Sequence, residues 1–381
     1  MGSIFIQLGV IAAVYGVAIF WTRLAEAIAG SDQDIGRDEC LNGLRGTAAV
    51  AVVACHINQY MCAFIGVSNP FVGDHLGILA VQLFFCLTAY LFTDKALKGS
   101  IDPAHFFANR VRRILPLYIF AVVAALAIAL CYSWPAVIPI RQTLNESLDV
   151  VTFGLWKTDQ LWFRGINMLS LIGVAWTLSY EWAFYVLLVP GKFLWRCGLM
   201  VRVCIAAIVG AILIRDFYLS SKQVIWPFFL PGVAAAFSKY LLPERLGRVY
   251  LSLALPSVFL VIWLPGFWTP VKLALVTPVF FAVTFGKPRW LGWPPLQTLG
   301  VISYSIYLIQ YLVLYPSVQM IYTSPALASV GSRLWTGALI ASMTIVLASL
   351  TYRFVERPWV ARSALARVAS ASAYSPSSSS A

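Results

Sequence analysis

LNGLRGTAAVAVVACHINQY, residues 41–60, sets an arginine and a histidine eleven residues apart, with only Gly, Thr, Ala, Val and Cys between them. Read as one helix, the run places Arg45 and His56 on a single face. Eleven steps of about 100° overshoot three turns by only about 20°, and the two residues stand about 16.5 Å apart along the axis. Roughly 20 mainly apolar residues cross a bilayer, so the stretch and its continuation to residue 67 read as a membrane span. An ionisable ring near the middle of a span is costly and as a rule lines an internal pathway. The plainer reading is a packing histidine bonded to a neighbouring helix.

The rest of the chain supports the membrane reading. Of its 381 residues, 60% are hydrophobic and 11% charged, and the mean hydropathy is +0.82. Soluble domains carry about a quarter charged residues. The net charge of +12 sits in short stretches between apolar runs, which orients a polytopic protein and gives no nucleic-acid footprint. The seven cysteines include no CxxC pair, so neither a disulfide framework nor a metal site is indicated, and they read as small apolar fillers.

Eleven apolar stretches are candidate spans: 4–22, 46–67, 76–93, 114–133, 171–190, 199–214, 224–242, 249–264, 269–285, 299–322 and 334–355. This predicts an all-α, polytopic transmembrane helix bundle. With eleven spans, 20 of the 27 Lys and Arg fall on the side of loop 23–45 and 7 on the other, which makes the first side cytoplasmic. Residues 4–22 followed by AIAG also resemble a cleavable leader. MGS carries no positive charge, however, and cleavage would leave residue 30 outside, so an uncleaved first span is expected. The connection 134–170, with Trp134, Trp156 and Trp162, is expected to hold an interfacial segment, and the tail 363–381 to be disordered.

Two further constellations carry charge into apolar sequence. In FFANRVRRILPLY (106–118), Arg110 and Arg113 lie one helical step apart and form a fork suited to phosphates, unless they only set topology. In WTLSYEWAFYVLL (176–188), Glu181 is the one acidic residue of its span, either a functional carboxylate or a counter-ion for an arginine on another helix.

Together with FFCLTAYLFT (84–93), ISYSIYL (302–308) and Glu356 and Pro358 in VERP, these stretches resemble acyltransferase family 3, polytopic membrane enzymes that move acyl groups onto sugars. The resemblance runs from about residue 40 to 360. It implies about ten core helices, with residues 1–30 forming an extra N-terminal span and linker and 40–362 the acyltransferase domain. The chain departs from the family pattern in three places. Gln82 replaces an acidic residue before the FF pair, Thr88, Ala89 and Tyr90 replace SGF, and Gln310 stands where a histidine is common.

The resemblance implies a multi-pass protein of the bacterial inner membrane with no bound cofactor. It would transfer acetyl or another short acyl group from acyl-CoA to a hydroxyl of a surface polysaccharide or lipid-linked sugar. His56, Arg45 and Glu181 are the candidate catalytic residues. The unperturbed pKa of histidine, about 6.5, suits His56 to general-base work, with a covalent acyl carrier as the alternative. Arg45 would orient the donor or stabilise an oxyanion, and Glu181 is expected to orient the imidazole. Arg110, Arg113, Tyr304 and Glu356 are the candidate substrate-binding residues. The rival from another class is a transporter or flippase in which His56 and Glu181 form a proton relay.

Overall fold

The computed structural model describes residues 2–30, 38–64, 71–99, 101–133, 139–151, 162–173, 176–194, 198–219, 223–240, 246–323 and 330–360. The tail 363–381, Trp134 and Trp156 lie outside the described residues. Within the described residues, each of the eleven apolar stretches is mainly helical. In chain order the elements are α1 (Gly2–Phe20), α2 (Thr22–Ala29), α3 (Glu39–Phe64), α4 (Phe71–Leu97), α5 (Pro103–Ser133) and α6 (Ile140–Val151). A two-residue-per-strand hairpin, β1 (Trp162–Phe163) and β2 (Ile166–Asn167), and the short α7 (Leu169–Ile172) lead into α8 (Trp176–Leu194) and α9 (Leu199–Leu219). Then come α10 (Leu230–Ser238), α11 (Leu246–Trp263), α12 (Pro270–Phe281), α13 (Pro294–Val301), α14 (Ser303–Thr323) and α15 (Val330–Thr351), the last continued by a π turn, Tyr352–Glu356.

Among the described residues six helices are long and apolar enough to cross a membrane, or seven if the bent pair α13–α14 is one span. The other stretches form shorter or less uniformly apolar helices. Burial shows which helices are central. The apolar windows of α3 and α4 are 83% and 78% buried, against 22% for α1 and 17% for α11. Outer helices such as α5, α9 and α11 turn Leu, Ile, Val and Phe outward, as lipid-facing helices do.

The start of α3 is fixed in several ways. Asp38 caps it by accepting from the Leu41 amide at 3.2 Å. Asn42 donates to the Gln297 backbone and side-chain oxygens of α13 at 3.0 and 2.9 Å. Between them, a Cβ on Gly43 would lie 2.0 Å from the Leu291 carbonyl oxygen, so only glycine permits this approach. Arg45 is thereby held half a turn beyond a rigid junction.

The chain bends by 70° between α13 and α14, where Ser303 donates back to the Gly300 carbonyl at 2.8 Å. This break turns the first residues of α14 toward α3 and α8. The first helix docks on the bundle. Tyr15 donates to the Thr47 carbonyl at 2.8 Å, Trp21 to Ser342 at 2.9 Å, and Gln7 accepts from the Val72 amide at the start of α4 at 2.9 Å.

The connection after α5 holds the amphipathic α6. Ile140, Leu144, Leu148 and Val151 form one exposed apolar face, the pattern of a helix lying along a membrane surface. Tyr118 donates to the Val150 carbonyl at 2.8 Å, and Glu146 accepts from the Arg164 amide at 2.7 Å. The basic ends also meet as the charge count requires. Asp94 pairs with Lys98 and Lys239, while Arg353 and Arg357 donate to the carbonyls of Ile28 and Ala29.

Candidate active site

Five helices supply the site, α3, α4, α5, α8 and α14. Their side chains line two neighbouring cavities. The first has about 780 Å³ of empty space including its mouth, and holds Arg45, Arg110, Arg113, Glu181, Tyr185 and Tyr304. Five of the seven residues singled out in the sequence are therefore brought together. The second, about 620 Å³, holds His56 with Gln59, Asp74, Trp176, Phe267 and Tyr311. Val81 and Tyr307 line both and form the wall between them. The Tyr307 hydroxyl is 3.0 Å from that of Thr177 on α8, and its ring lies 5.6 Å from Phe84.

The first cavity is an arginine cradle around one carboxylate. Arg110 lies over the Phe92 ring, 4.6 Å from its centre, a cation–π contact, and its Nε has no hydrogen-bond partner among the described residues. Arg113 faces the same space one helical step on, while Arg112 points out and is exposed. Tyr185 donates to Glu181 at 3.0 Å and lies beside Arg110. Glu181 feels the charges of Arg110, Arg45 and Arg113, so the counter-ion reading of this carboxylate fits its surroundings. With three cations and one anion, the cavity keeps a positive excess for an anionic ligand. The Tyr304 hydroxyl donates to the Ile114 carbonyl at 2.9 Å, which fixes the ring as part of the wall.

The second cavity holds the imidazole in a defined state. Gln310 donates from Nε2 to the Tyr307 carbonyl at 2.9 Å, so its Oε1 is the atom turned to His56 Nδ1, 3.1 Å away. An amide oxygen only accepts, so Nδ1 carries the proton and Nε2 is the basic nitrogen. The ring packs against Tyr311, with centres 4.5 Å apart.

Two expectations are corrected here. Glu181 does not orient the imidazole; Gln310 does. Trp176 of α8 reaches the His56 cavity, but Glu181 comes five residues later, about 7.5 Å further along the axis, and belongs to the arginine cradle. Glu356 does not line either cavity. It lies buried in the π turn after α15 and accepts from Ser305 at 3.1 Å. Ser305 follows Tyr304 and faces away from the cradle, so the carboxylate ties α14 to the end of α15.

Some residues of the site had no distinct sequence signal. Tyr307 and Tyr311 are two of many aromatic residues in apolar sequence. The spacing 304, 307, 311 is a helical stripe, which could have placed all three on one face. Asp74 sits near the start of α4 with no signal to set it apart, and it lines the His56 cavity. Gln310 stood out as a departure from the family pattern, and its partner could not be read from that.

Comparison with known proteins identifies the family. The acyltransferase domain family matches residues 38–353. The chain belongs to acyltransferase family 3. It is 23% identical over 360 residues to the peptidoglycan O-acetyltransferase OatA of Listeria monocytogenes, covering 84% of this chain and 55% of that protein. It is 25% identical over 312 residues to the exopolysaccharide production protein ExoZ of Rhizobium meliloti, covering 78% of this chain and 94% of the relative. The chain thus spans about half the length of the first and nearly all of the second. No solved structure matches it.

Proposed function

We propose that the protein is an O-acetyltransferase of the bacterial inner membrane, moving acetyl from acetyl-CoA to a hydroxyl of a cell-envelope polysaccharide. The observation that carries the reading is His56, with Nε2 kept as a base by Gln310, in a cavity walled off from an arginine cradle by one tyrosine and one valine. Family membership and the names of the two relatives support the reaction class and an envelope glycan as acceptor. The positive excess of the cradle and the unused Arg110 Nε support an anionic donor there.

In this reading the donor phosphates rest on Arg110 and Arg113 from the cytoplasmic side. About 16.5 Å of helix separates Arg45 from His56, so Arg45 holds the donor rather than the oxyanion. The thioester passes Tyr307 and Val81 to reach the second cavity. There His56 Nε2 takes the proton of the acceptor hydroxyl as its oxygen attacks the thioester carbonyl carbon. The new C–O bond forms, the C–S bond breaks, and the imidazole passes the proton to the departing thiolate. A transporter has little support, because His56 and Glu181 line different cavities and form no relay. The test is transfer of labelled acetyl from acetyl-CoA to peptidoglycan or exopolysaccharide fragments by the full chain purified in detergent. Absence of labelled ester with both acceptors would overturn the reading.

A further inference from the structure

The His56 cavity contains a second polar group that the reaction above does not use. Asp74, near the start of α4, accepts from the Gln59 amide at 2.7 Å, and both residues line the cavity. Gln59 lies three residues beyond His56 on α3, so the two side chains share a face of that helix. No basic side chain among the described residues pairs with Asp74. Its neighbour His75 is bonded to the Phe71 carbonyl at 2.8 Å, and Lys272 donates to the carbonyls of Val261 and Leu264, capping α11. With Oδ1 on Gln59, the Asp74 Oδ2 and the Gln59 side-chain oxygen Oε1 are left to accept from a ligand. The aromatic rings of Trp176, Phe267, Tyr307 and Tyr311 also line the cavity.

A carboxylate and an amide beside flat aromatic surfaces match one chemistry well. A pyranose offers several hydroxyl donors around its rim and apolar C–H faces. Hydroxyls donating to a carboxylate make short charge-assisted bonds, while aromatic walls cover the apolar faces. In a mostly apolar pocket, a few placed polar groups fix the orientation of the ligand.

We propose that Asp74 and Gln59 form the acceptor-sugar subsite of the His56 cavity, gripping pyranose hydroxyls next to the one that His56 deprotonates. The subsite rests on the acetyltransferase reading, since it assigns the second cavity to the acceptor. It makes Asp74 and Gln59 binding residues with no part in donor recognition.

The experiment uses the full chain in detergent with labelled acetyl-CoA and two probe acceptors, chitotriose and methyl β-glucoside. Asp74→Asn keeps the shape and removes the charge, and Gln59→Ala removes the partner. The expected result is an acceptor KM raised at least about tenfold in Asp74→Asn, with the KM for acetyl-CoA unchanged. Unchanged CoA affinity by isothermal titration also shows that the variant is folded. Gln59→Ala should shift acceptor KM in the same direction. Transfer by the wild type with an unaltered acceptor KM in both variants overturns the subsite and leaves the acetyltransferase reading standing. A rise in donor KM, or a fall in kcat alone, also counts against it. No transfer by the wild type to either probe counts against the underlying reading and removes the subsite with it.

Discussion

At His56 the neighbours decide the chemistry. A histidine bonded through Nδ1 to a pure acceptor keeps Nε2 as its basic nitrogen, and Gln310 is held in that role by the Tyr307 carbonyl. His56→Ala should abolish acetyl transfer, while the purified protein elutes as the wild type does. Gln310→Leu keeps the ring but frees its tautomer, and should lower kcat on the order of 10–100-fold, less than the roughly 10²–10⁴-fold that general-base catalysis supplies because the base itself remains, with both KM values close to wild type. A Gln310→Leu enzyme with full kcat would remove the base assignment from this pair. The arginine cradle gives a contrasting prediction. Arg110→Ala and Arg113→Ala should each weaken acetyl-CoA binding, since a charge-assisted contact contributes about 1.5–3 kcal/mol, and leave acceptor KM alone. Isothermal titration with CoA checks this, and unchanged affinity in both variants would return these arginines to setting topology.

Between helices, the distinctive feature is the wall that Tyr307 of α14 and Val81 of α4 make between the two cavities. Thr177 of α8 anchors the tyrosine by its hydroxyl. Tyr307→Phe removes that anchor without removing the ring. If the wall keeps water from the donor, acetyl-CoA hydrolysis without acceptor should rise several-fold in this variant, while acceptor-dependent transfer changes less. Thiol release followed with and without acceptor measures both, and hydrolysis at the wild-type rate would show that the wall is not a barrier. This level of organisation was also the least legible in the sequence. The helices could be read because spans need long apolar runs, and the shared face of Arg45 and the His56 helix follows from helical period alone. What period cannot give is which helix lies opposite. The pairing of His56 with Gln310 spans 254 residues and depends on the 70° break before α14. The placement of Glu181 failed in depth as well, since it was expected at the level of His56 and lies in the cradle with Arg45. Glu356 likewise matched a motif, while its direction was set by the π turn that carries it.

Across the whole molecule, the proposed reaction places the two cavities toward opposite sides of the membrane, and the distribution of charge bears on this. The basic loops that the count assigns to the cytoplasm lie at the Arg45 end, where Asp94 gathers Lys98 and Lys239 and where Arg353 and Arg357 close the end of α2. The His56 cavity lies toward the other end, beside the starts of α4 and α8. Positive charge is retained on the cytoplasmic face during insertion, so the cradle should open to the cytoplasmic pool of acetyl-CoA and the His56 cavity to the outer face or the membrane. Two exposed residues report on this without touching either cavity: Lys98 at the end of α4, with its side chain 53% exposed, and Arg215 near the end of α9, 67% exposed. Their surface ion pairs contribute little to stability, so cysteine is tolerable at both. In a background with the seven native cysteines replaced, Lys98→Cys should react with a membrane-impermeant maleimide only in inverted vesicles. Arg215→Cys should react only in intact cells stripped of their outer layers. Labelling of both from the same face would break the topology, and the donor and acceptor could then no longer be assigned to opposite sides.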